Sequence, residues 1–147
     1  MSRTATFLAL VLSFATGAHA ESLSDARKAI VAAQAAWAAH GPHSYEFTVR
    51  FNEFIYVFCK EQSFRVTRGR IQVLPSADCH PVRDPISIGT IPRLLKYANH
   101  IARGSWPSAD FRFDTTTGVP YAFDVWDESL EDAFSGFAVT KFAAIAP

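Results

Sequence analysis

The stretch SFRVTRGRIQVL (63–74) constrains the fold more than any other part of the chain. Phe64 and Val66 alternate with polar residues before Arg68-Gly69, and Ile71 and Val73 alternate after it. Period-two alternation on both sides of a two-residue turn predicts a β-hairpin with one dry and one wet face. Gly69 supplies the positive φ that such a turn needs.

The same alternation recurs elsewhere. In SYEFTVRF (44–51), Tyr45, Phe47, Val49 and Phe51 alternate with Glu46, Thr48 and Arg50; in the next segment, NEFIYVFCK (52–60), the phase changes, which a bulge or turn near Asn52-Glu53 explains. Phe111 and Phe113 precede a TTTGVP turn, Tyr121, Phe123 and Val125 follow it, and a last strand is expected near GFAVTKF (136–142). Two segments carry a 3.6-residue period instead. In residues 21–40, Leu23, Ala26, Ile30, Ala33 and Trp37 form one stripe, Ser22 with Asp25 forms a capping box, and Gly41-Pro42 stops the helix. In TIPRLLKYANHIARG (90–104), Thr90 caps, Pro92 lies in the first turn, Ile91, Leu94, Leu95, Ala98 and Ile101 form the stripe, and Gly104 ends it. Residues 75–89 hold three prolines and little periodicity, so they read as a loop. The order α-β-β-β-α-β-β-β predicts an α+β domain: an antiparallel sheet of five to six strands with two helices on one face.

The N-terminus predicts a compartment. Arg3, the apolar run from Ala5 to Ala15 and the small-x-small site Ala18-His19-Ala20 have the layout of a secretory signal peptide cleaved after Ala20. Residues 1–20 are therefore expected to be removed and 21–147 to form a single domain in the periplasm or outside the cell. The apolar run is too short for a membrane span, so none is expected after cleavage. The chain has 14 basic and 14 acidic residues and no basic cluster, which argues against nucleic acid as a partner. Thirteen Phe, three Trp and four Tyr predict an aromatic core.

Cys59 and Cys79 are the two cysteines. In an exported protein such a pair is expected to form a disulfide, closing a loop worth about 3 kcal/mol in the chain-entropy picture. A redox thiol or a metal site is the alternative, but neither C-x-x-C nor a four-ligand zinc pattern occurs.

The order of several short motifs resembles one family. Trp37, SYEFTV (44–49), FC (58–59), FRVTRGRI (64–71), TIPRLL (90–95) and FDTTTGVPYAFDV (113–125) are similar to features of the domain of unknown function 6174 family, small bacterial exported proteins and lipoproteins. Asp114, Gly118, Pro120 and Asp124 match its Tyr-Asp-Pro-x-x-Gly-Tyr-Pro segment and the aspartate after the following short strand. Val57 stands where that family often has a second cysteine, and DESLED (127–132) replaces a tighter acidic cluster. The resemblance implies an exported α+β domain and carries no activity.

Candidate sites follow from the residue types. Five acids fall between Asp124 and Asp132, next to a Gly-Val-Pro turn. No EF-hand spacing occurs there. Asp114 is expected to bond the backbone of its own turn. The candidate binding segment is Asp114, Gly118, Pro120, Asp124 and Trp126. The candidate metal ligands are Asp114, Asp124, Asp127, His40 and His43. No nucleophile elbow and no phosphate-cradling glycine motif is present, and no catalytic residue or cofactor is assigned. Glu46, Thr48, Arg50, Arg65, Thr67, Gln72, Arg112 and Asp124 are expected on the wet sheet face, and Trp126 on that face would mark an interface. The expected function is a non-enzymatic binding or envelope-accessory module, with an envelope protein or small ligand as partner. The alternative is a metal-binding or metal-dependent hydrolytic protein using the 114–132 segment.

Overall fold

The computed structural model describes residues 21–52, 61–75, 88–131 and 133–146. The expected leader at 1–20, the phase change expected near Asn52-Glu53, most of the loop at 75–89, and Cys59 and Cys79 with their expected disulfide lie outside the described residues.

Helix α1 spans Leu23–His40 and helix α2 spans Ile91–Ile101. Ser22 caps α1 by accepting the Asp25 N–H at 3.1 Å, and Thr90 caps α2 by accepting the Arg93 N–H at 3.3 Å. Each side-chain oxygen satisfies a donor that a helix leaves unpaired in its first turn. All five residues of the α2 stripe are buried, as are Ala26, Ile30 and Ala33 of α1, with Leu23 and Trp37 packed at the margin. Helix α2 ends at Ile101, one turn before Gly104. Ala102 is its C-cap, and the Ala102 carbonyl accepts from Arg27 Nε of α1 at 2.8 Å, tying the two helices together.

Six strands form one antiparallel sheet: β1 (Ser44–Phe51), β2 (Glu61–Thr67), β3 (Arg70–Val73), β4 (Ser108–Phe113), β5 (Pro120–Trp126) and β6 (Phe134–Ala144). Their order is β3-β2-β1-β6-β5-β4. Among the described residues each half of the chain contributes one helix and three strands, yet the halves do not repeat one another. The strand after α1 is central, whereas the strand after α2 is at an edge. Strand β6 is longer than GFAVTKF and fills the middle of the sheet between β1 and β5.

One register device makes that central position work. Thr48 pairs with Lys141 and Val49 with Val139, so Thr140 is an extra residue on β6. A bulge shifts the side-chain phase by one. Phe137 and Val139 before it and Phe142 after it therefore all reach the core side. There Phe142 packs its ring 6.0 Å from Trp37 and 5.7 Å from Tyr45. Without the bulge Phe142 would face the polar side.

The core joins one sheet face to both helices. Among the described residues Phe47, Phe64, Phe123 and Phe137 are its largest fully buried side chains, and each such burial is worth about 2–3 kcal/mol. Tyr45 adds a polar tie: its hydroxyl accepts the N–H of Ile91, the first residue of α2, at 3.2 Å. Burial raises the Tyr45 pKa. Both helices lie on this face, and the alternation of the strands sends Glu46, Arg50, Arg65, Gln72, Arg112, Asp124 and Trp126 to the other.

Candidate binding face

Asp114 follows β4 and organises the turn into β5. Its Oδ1 accepts from the Thr116 N–H (3.1 Å), the Thr117 N–H (2.6 Å) and the Thr117 hydroxyl (2.7 Å). These bonds, led by that from the Thr117 backbone, hold its carboxyl below the ordinary range. The next glycine is there for space and conformation together. Gly118 has φ +77°, and a Cβ on it would collide with the carbonyl oxygen of Ala33 in α1. The turn is thus seated on the helix through Gly118, with Val119 and Pro120 buried behind it. Asp114, Gly118 and Pro120 close and anchor a hairpin, leaving neither Gly118 nor Pro120 at the surface.

Asp127 makes the corresponding turn at the other end of β5. Its Oδ1 accepts from the Ser129 N–H at 2.9 Å and the Ser129 hydroxyl at 2.6 Å, which lowers its pKa. Asp114 and Asp127 therefore occupy opposite ends of one strand. His40 lies in the last turn of α1, and His43 lies just before β1, where its carbonyl accepts from the Arg68 N–H at 3.1 Å. Among the described residues, no three His, Cys, Asp or Glu side chains come together in a way that holds a metal ion.

Asp124 is different. It points to the face away from the helices, where it pairs with Gly136 on β6 and Asp110 on β4. Its Oδ1 accepts from Asn52 Nδ2 at 2.8 Å, while the Asn52 backbone N–H donates to the Gly136 carbonyl at 2.9 Å. A Cβ on Gly136 would strike the Asp124 carboxylate and the Phe123 carbonyl, so glycine leaves the room in which Asp124 lies. Burial pushes this carboxyl above its ordinary pKa; Asn52 opposes the shift, Asp110 adds to it, and Arg50 opposes it. Beside this node Trp126 pairs across the strands with Phe134, which is 37% exposed, and Trp126 Nε1 donates to Glu128 at 3.4 Å.

Farther along the same face, Arg65 forms an ion pair with Glu46, and Thr48 shares a hydrogen bond with Ser63 at 2.8 Å. Beyond them lies an open groove of about 590 Å³, lined by Ser44, Thr67, Arg68, Arg70, Ile145 and Ala146. Asn52, Gly136 and Asp110 have no marker in the local pattern around Asp124, because they arrive from the end of β1 and from β6 and β4. The one available signal was Gly136 itself, an isolated glycine within a strand, which often marks close approach.

No helix among the described residues is long and apolar enough to cross a membrane. No protein-family model, curated protein or solved structure matches the chain.

Proposed function

We propose that the chain is an exported, non-enzymatic binding or envelope-accessory module that presents the sheet face opposite its helices to a partner. One observation carries this reading: the cross-strand pair of Trp126 and Phe134 stands on the polar face beside the half-buried Asp124–Asn52 pair. Aromatic residues are enriched in interface cores, and Trp in particular among their hot spots. The leader, the cleavage after Ala20 and the likeness to the domain of unknown function 6174 family belong to the same reading. A Cys59–Cys79 disulfide is part of it too; the oxidised chain would weigh about two daltons less than the reduced one by intact mass measurement.

The test is site-specific photo-crosslinking in the cell envelope. A photoreactive side chain at Arg112, exposed on the polar face, is expected to give discrete adducts that weaken in a Trp126→Ala background. The same group at Val31, exposed on α1, is expected to give none. Equal labelling from both positions, or none from Arg112, would remove the face from consideration.

A further inference from the structure

We propose that the groove at the β2–β3 turn is a binding site for a small amphipathic anion, its phosphate or carboxylate held by Arg68 and Arg70 and its apolar part lying against Ile145 and Ala146. This rests on reading the sheet's second face as a binding surface, of which the groove is the end remote from Trp126.

Three observations converge. The first is the lining: two arginines, Arg68 and Arg70, two hydroxyl residues, Ser44 and Thr67, and the apolar Ile145 and Ala146, with no acidic residue among them. The volume of about 590 Å³ is that of a small-ligand site. The second is electrostatic. Among the described residues the neighbouring Arg65 has its carboxylate partner in Glu46, but no acid pairs with Arg68 or Arg70. Planar guanidinium groups of this kind match the geometry of carboxylate and phosphate oxygens.

The third is conformational. Arg68 has φ +47° and Gly69 φ +80°, so both central residues of the two-residue turn are left-handed. Asparagine, aspartate and glycine suit the first of those positions, and a long side chain with a Cβ does not. Arg68 therefore sits where its backbone is least at ease. Its N–H is held by the His43 carbonyl at 3.1 Å and the Ser44 hydroxyl at 3.3 Å, which seats the turn against the start of β1. A residue kept at a conformational disadvantage next to a cavity is the pattern expected when the side chain serves the cavity.

The probe is phenyl phosphate, which combines a ring with a phosphate monoester, titrated into isotope-labelled chain and followed by amide NMR. Saturable shifts are expected at Ser44, Thr67, Arg68, Gly69 and Arg70. Arg68→Asn combined with Arg70→Gln is expected to weaken binding about tenfold or more, the loss of charge-assisted bonds to the anion. Arg112→Gln, elsewhere on the same face, is expected to leave it unchanged. Arg68→Asn alone is expected to raise the denaturation midpoint, so weakened binding in the double variant would not stem from a damaged turn.

Inorganic phosphate and phosphatidylglycerol vesicles form the comparison arms. Weaker binding of inorganic phosphate at the same residues supports the role of the apolar wall. Binding to vesicles alone would assign the arginines to a lipid surface and overturn the small-ligand site, as would shifts that persist in the double variant or no saturable shift at all. Failure here with the Arg112 crosslinks intact would refute the anion site alone. Loss of those crosslinks would refute the wider reading of the face.

Discussion

Asp114 and Asp124 are the same chemical group in one hairpin, and the fold moves their carboxyls in opposite directions. Asp114 lies at a strand end with three donors from its own turn, and its pKa falls. Asp124 lies within the sheet, half-buried, facing Asp110, with one amide donor from β1, and its pKa rises. The contrast follows from whether hydrogen bonding or burial dominates. Local donors stabilise a charge that water still reaches, whereas burial beside a like charge favours the neutral form. Acid-rich segments should therefore be sorted by what faces each carboxyl across the strands rather than by their density along the chain.

Gly118→Ala should be the most damaging change to this arrangement. It adds a Cβ at positive φ against the Ala33 carbonyl, and a loss of about 3 kcal/mol in urea denaturation is expected. A loss under about 0.5 kcal/mol would mean that the turn is not seated on α1 as described. Gly136→Ala should follow at about 2 kcal/mol, because the new methyl group must displace Asp124 or the Phe123 carbonyl.

The two aspartates should separate next. Asp114→Ala removes the acceptor of three hydrogen bonds and is expected to cost about 1 kcal/mol at neutral pH. Asp124→Asn keeps an oxygen for Asn52 and removes a charge from a half-buried site, so stability should be unchanged or higher. Equal losses in the two variants would break the comparison.

The smallest effect is in the pH dependence, and it has two signs. The Asp124 pKa is raised on folding, so the folded state binds more protons between the ordinary carboxylate pKa and the raised value. Stability from this group is present at low pH and is lost as pH rises through that window. The Asp114 pKa is lowered on folding, so its contribution is present above the ordinary value and is lost as pH falls towards the lowered one. Carboxyl-carbon NMR titration should find Asp114 below and Asp124 above the ordinary aspartate value of about 3.9. The two titrating together at that value would show that neither environment acts as described.

Legibility in the sequence tracked the range of the interactions. The Ser22 and Thr90 caps, the five-residue stripe of α2, the β2–β3 hairpin and the Asp114 turn depend on residues a few positions apart, and all were legible as patterns. The exact end of α2 was less so: the N–H groups of Arg103 and Gly104 bond the His100 and Ile101 carbonyls in a tighter last turn, so the α-helix proper closes at Ile101 before Gly104 is reached. Nor was the Asn52–Asp124–Gly136 node, whose members come from just past β1 and from β5 and β6.

Alternation and helical periodicity by themselves determined that this chain makes helices and one-sided strands in the order α-β-β-β-α-β-β-β, because those periods follow from backbone geometry. Tertiary structure alone decided that β6 joins the two halves at the centre of the sheet, since pairing between strands far apart in sequence leaves no local mark. It also decided, through the Thr140 bulge, that Phe142 belongs to the core. The left-handed Arg68 belongs to both: the turn was written in Arg68-Gly69, but only the folded sheet set Arg68 on one groove with Arg70, Ser44 and Ile145.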